Sequence, residues 1–144
     1  MTDPDLIAKR LAFIETCLRE LKTLARPELV EVDVRELRFV EHTLQIAIQA
    51  ALDVASHLVS DERMGEPRTN RALFDLLQSH GWLASDLASR LADMAGFRDV
   101  LVHAYAEVDP AIVRDVAEHH LGDLEMFVTV VRGRLAAAGC DPAS

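Results

Sequence analysis

From Val34 to Val59 the chain reads VRELRFVEHTLQIAIQAALDVASHLV, and the spacing of its apolar residues decides the fold. Leu37, Val40, Leu44, Ala47, Ala51, Ala55 and Leu58 recur at intervals of three and four, which lines one side of a helix of 3.6 residues per turn. A strand needs alternation of period two, and no stretch of the chain sustains it. This helix is the longest element and is expected at the centre of the molecule. Upstream, Ile7, Leu11, Ile14, Leu18 and Leu21 form a second stripe, opened by Asp3 or Asp5 and ended before Pro27. Downstream, Ser60 to Asn70 holds DERMGEPRT with Gly65 and Pro67, a loop closed by Asn70 as the cap of a short helix, Arg71 to Ser79. After Gly81 a fourth helix is expected from Leu83 through Leu87, Leu91, Met94, Phe97, Leu101 and Ala104 towards Val108. Gly96 inside it costs about 1 kcal/mol against alanine, which suggests a bend or the close approach of another backbone. Pro110 opens a last helix that carries Ile112, Val116, Leu124, Phe127, Val131 and Leu135 and stops at Gly139 and Pro142. The pattern predicts an all-α protein: an up-and-down bundle of four to five helices, with residues 1–144 as a single domain.

Half of the 144 residues are apolar, enough for a core that needs neither disulfide nor metal. Cys17 and Cys140 make no disulfide framework, no apolar run approaches the roughly 20 residues that span a bilayer, and MTDPDLIAKR lacks a signal-peptide core. A soluble protein of the reducing cytoplasm, away from membranes, is expected. The net charge of −9 argues against sequence-independent wrapping of nucleic acid, and five Phe, one Tyr and one Trp are too few for a stacking platform. A nucleic-acid site must therefore be small.

The informative segment is Gly96 to Asp109, GFRDVLVHAYAEVD. On a wheel of about 100° per residue, Phe97, Val100, Leu101, Ala104 and Val108 gather as a core stripe, while Arg98, Asp99, Val102 and His103 take the other half. Arg98 and Tyr105, seven apart, are nearly eclipsed; Arg98 and His103, five apart, diverge by about 140°, so one helix does not easily aim both at one atom. Val102 on the outer side points to a covering partner, and a two-fold dimer packed there would bring Arg98 and His103 of both chains around one cleft. The plainer alternative is a solvated helix face with Tyr105 at the edge of the core. His42, His57, His80, His119 and His120 lack metal-ligand spacing, and the adjacent His119 and His120 should lie on different sides of a helix. Asp61, Glu62 and Glu66 read as a solvated loop, Cys17 as packing and Trp82 as cover for the core edge.

The order Arg98, four residues, His103, one residue, Tyr105 resembles the signature of the HepT-like ribonucleases of the HEPN group, and the long second helix, the Gly and Pro loop and GFRDVLVHAYAEVD are similar to that family as well. Asp99 stands where many members carry Asn, which changes the charge beside Arg98. The resemblance implies a HEPN-like bundle, a homodimer with the motif at its interface, and an endoribonuclease that cuts RNA without metal or other cofactor. It also implies a toxin paired with a nucleotidyltransferase-type antitoxin that can transfer AMP to Tyr105. The chemistry suits those residues: His103 can take the proton of a ribose 2′-OH, and Arg98 can hold the charge that develops on the phosphoryl oxygens. Two other readings stay open. The chain could be a non-catalytic accessory or substrate-binding subunit of a small nucleotidyltransferase, or a helical interaction protein.

Overall fold

The computed structural model describes residues 3–103 and 108–137, and within them every regular element is helical. The α-helices are α1 (Pro4–Thr23), α2 (Val34–Asp61), α3 (Asn70–Ser79), α4 (Ser85–His103), α5 (Pro110–His119) and α6 (Leu121–Leu135), with a 3-10 turn over Pro27–Leu29. Of the side chains expected to start helices Asp3 does so, and Asp33 and Asp109, which the sequence reading had not singled out, cap two others. Asp3 accepts from the amides of Asp5 and Leu6, Asp33 from that of Arg35, and Asp109 from that of Ala111, each satisfying donors that a helix start leaves free.

The central helix is α2, against which α1, α3, α4 and α5 pack. Val40, Leu44, Ala47, Ala51, Ala55 and Leu58 of its stripe are fully buried, and Leu37 is partly so. Ile7, Leu11 and Ile14 of α1 close one side of the core, while Phe74 of α3 meets Phe127 of α6 edge to face, with ring centroids 5.9 Å apart. Gly81, at φ +80°, turns the chain out of α3, and Trp82 behind it is buried under the Arg134 guanidinium, 4.6 Å from the ring centroid. Among the described residues no helix is long and apolar enough to cross a membrane.

Three boundaries differ from the sequence reading. Thr69, not Asn70, caps α3: its hydroxyl accepts from the Ala72 amide at 3.2 Å, which leaves Asn70 inside the helix with its side chain free for other work. The fourth helix is described only to His103, and Val108 and Asp109 are not helical, because Asp109 precedes Pro110 and is extended as the cap of α5. The last helix is two. His120 leaves helical geometry at φ −121°, ψ 4°, amid His119, His120 and Gly122, all weaker helix formers than alanine. At this break His119 Nδ1 and His120 Nε2 both reach the Asp115 carboxylate, at 3.0 and 3.1 Å, where a continuous helix would have parted them. These bonds, His119 first, hold the Asp115 carboxyl below the ordinary carboxylate range. Beyond the break α6 lies along α1, pinned by Lys22 to Glu125 and by a two-pronged Arg132 to Glu15 pair at 2.7 and 2.8 Å.

Candidate active site

Leu87, Leu91, Met94 and Leu101 of α4 are buried, and the gap of seven between Met94 and Leu101 is bridged on the same side by the partly buried Phe97 and, in line with Leu91 and Met94, by the partly buried Arg98. Arg98 therefore belongs to the inward side of the helix, not to the outer half expected from the segment alone. The longer run Leu87, Leu91, Met94, Arg98, Leu101 held that signal. The side chain is one-fifth exposed, its Nε is buried without a hydrogen-bond partner among the described residues, and Nη1 donates to Asp99 Oδ1 at 3.2 Å. A buried N–H left unmatched costs about 1–3 kcal/mol, which makes this donor a candidate for a bond to a ligand.

Asp99 joins two helices, because its Oδ1 also accepts from Asn70 Nδ2 of α3 at 3.2 Å. Sequence reasoning missed Asn70, having assigned it to the cap. Next to it, Arg71 Nη1 donates to the Ala92 carbonyl at 2.9 Å and Nη2 to Asp93 at 3.2 Å. This explains Gly96: a Cβ there would lie 2.8 Å from Arg71 Nη1, so the glycine admits a guanidinium and not, as expected, another backbone.

The outer side of α4 is also redistributed. Val100, expected in the core stripe, is 47% exposed, Val102 is half-buried and His103 is the exposed final residue of the helix. Arg98 and His103 thus project from different sides of α4 within one chain. Tyr105 lies outside the described residues. A groove of about 240 Å³ beside α4 is lined by Met94, Phe97, Val116 and His120, and another of about 400 Å³ at the end of α2 by Ser56, Ser60, Arg63 and Glu66; neither is lined by Arg98 or His103. His42, His57 and His80 are exposed, and among the described residues no three His, Cys, Asp or Glu side chains converge as metal ligands.

Comparison with known proteins gives a consistent picture. The family model described as ribonuclease HepT-like matches residues 14–131. An mRNA nuclease HepT from Shewanella oneidensis is 30% identical over 129 residues, covering 89% of this chain and 97% of that protein. A tRNA nuclease HepT from Aphanizomenon flos-aquae is 32% identical over 135 residues, 92% of each chain. Among solved structures, a tri-AMPylated Shewanella oneidensis HEPN toxin in complex with an MNT antitoxin superposes with a TM-score of 0.82 at 29% identity, over 92% of this chain and 99% of that one.

Proposed function

Because the chain belongs to the HepT-like ribonuclease family, we propose that it is the endoribonuclease toxin of a toxin-antitoxin pair, acting in the cytoplasm with Arg98 and His103 as its catalytic residues. The observation that supports the assignment is Arg98 itself: a cation held on the inward side of α4, with one ion pair and a buried donor left unmatched among the described residues, is poised for an anionic ligand. Its guanidinium stays charged and offers a planar fork to phosphoryl oxygens. His103 accepts the proton of the ribose 2′-OH; the 2′-oxygen forms a bond to phosphorus as the bond to the 5′-oxygen breaks, and that oxygen takes a proton from water. The products are a 2′,3′-cyclic phosphate and a 5′-hydroxyl. DNA lacks the nucleophile and is inert.

The two residues diverge on α4, so the complete site is composite and needs a homodimer. Half-buried Val102, one turn beyond Arg98, and exposed Val100, on the outer side with His103, supply the apolar part of the seam. The antitoxin is a nucleotidyltransferase, and Tyr105 is the acceptor of AMP: its phenolic oxygen attacks the α-phosphorus of ATP and pyrophosphate leaves. The added phosphodiester would pair with Arg98 and repel RNA.

The test is cleavage of total cellular RNA by wild type, Arg98→Ala and His103→Ala, with fragment ends mapped. Cyclic phosphate ends that persist in EDTA and vanish in both variants support the reading. Cleavage that survives both substitutions, or that requires magnesium, refutes it.

A further inference from the structure

The first turn of α3 is tied to the part of α4 that carries Arg98 at three points: Asn70 to Asp99, and Arg71 to both Ala92 and Asp93. Thr69 fixes the backbone of that turn through its bond to Ala72, and the gap at Gly96 admits Arg71. On Asp99 a single oxygen, Oδ1, takes two donors at 3.2 Å, the half-buried Asn70 amide from one helix and Arg98 Nη1 from the other.

We propose that Asn70 is a positioning residue: it holds the Asp99 carboxylate, and through it the Arg98 guanidinium, in the orientation that presents the rest of the fork to phosphate. This rests on the assignment of Arg98 to the phosphoryl oxygens. The Arg98 side chain has four rotatable bonds, and among the described residues its hydrogen bonding is confined to Asp99. Asp99 is itself 41% exposed, so without an anchor its carboxylate can swing to water and take the guanidinium with it. The Asn70 amide supplies that anchor from a different helix. A hydrogen bond to a charged group corresponds to about a tenfold to hundredfold effect, and misplacing a cation relative to the reacting phosphate carries a penalty of similar size.

The decisive variant is Asn70→Asp, which keeps a residue favoured in the first turn of a helix but sets two carboxylates against each other. Asn70→Ala removes the donor without adding charge. The reciprocal swap Asn70→Asp with Asp99→Asn restores a donor and an acceptor across the same gap and leaves an amide oxygen at position 99 to accept from Arg98. On a labelled RNA fragment that the wild-type dimer cuts, both single variants should lower kcat about tenfold to hundredfold with KM nearly unchanged, and the swap should recover most of the loss. A second readout needs no cleavage. The buried Arg98 Nε–H should give a slowly exchanging NMR signal in the wild type, exchange faster in either single variant, and slow again in the swap. An unchanged kcat and unchanged Nε–H exchange in Asn70→Asp would overturn the proposal, as would a swap no better than the single variants in both readouts. If the wild type cuts no RNA, the ribonuclease reading fails, while the exchange rates still decide whether Asn70 holds Arg98.

Discussion

Replacing Arg98 by methionine is expected to separate stability from activity. Methionine follows the same path on the inward side of α4 without a polar atom, so the variant should be about 1–2 kcal/mol more stable in urea unfolding, because the unmatched Nε and a partly desolvated charge both disappear. Cleavage should be lost. A variant less stable than wild type would show that Arg98 is structurally required. Cys17 offers an opposite case, a group silenced by packing. It is 1% exposed, and burial, with a further push from Glu20, raises its thiol from the ordinary 9.0 to about 11. The folded value lies above the unfolded one, so the neutral thiol favours the fold below pH 9.0, and that contribution drains away as pH rises towards 11. In a Cys140→Ser background, Cys17 should resist a thiol reagent at pH 8 until urea is added; immediate labelling of folded protein would contradict its burial.

At the scale of elements, the α3 to α4 clamp makes an unusual forecast for Gly96. In the wild type, Gly96→Ala should leave stability within about 1 kcal/mol, since the gain in helix propensity is offset when Cβ pushes Arg71 off the Ala92 carbonyl. In an Arg71→Ala background the same substitution should stabilise by about 1 kcal/mol, because the space is then vacant. Equal effects in both backgrounds would separate glycine from arginine. The helices were legible because they carry apolar stripes of helical period with end signals beside them, such as Asp3 before and Pro27 after α1, Gly81 after α3 and Pro110 at the start of α5. The break at His120 was not, since Val116, Leu124 and Phe127 keep an apolar series across it and the weak helix formers His119, His120 and Gly122 are too slight a local signal to mark a bend. Arg98, His103 and Tyr105 stand out as candidates by their spacing alone, but the inward register of Arg98 needed the whole of α4, and the contact of Asn70 with Asp99 could not be found, because contacts between residues far apart in sequence leave no local pattern.

For the whole molecule, the large buried side chains carry the fold: Phe127→Ala, which empties the Phe74 contact, should cost about 3–5 kcal/mol, measurable by urea titration. Association is the separate question. Light scattering at micromolar concentration should give the mass of a dimer, and Val100→Glu, at the exposed seam position, should yield a folded monomer with little cleavage; a Val100→Glu dimer of full activity would place the seam elsewhere. The inward register of Arg98 also bears on how such a gene decays. Most inactivating substitutions in an enzyme erode its fold, so the broken product is degraded and vanishes from the cell. Here a change at Arg98 should silence cleavage while sparing the fold, so the inactive chain is expected to accumulate and to go on engaging its antidote. Colonies surviving overproduction should therefore be enriched in Arg98 alleles with undiminished protein levels, and such relics would act as sponges, releasing any intact toxin made in the same cell.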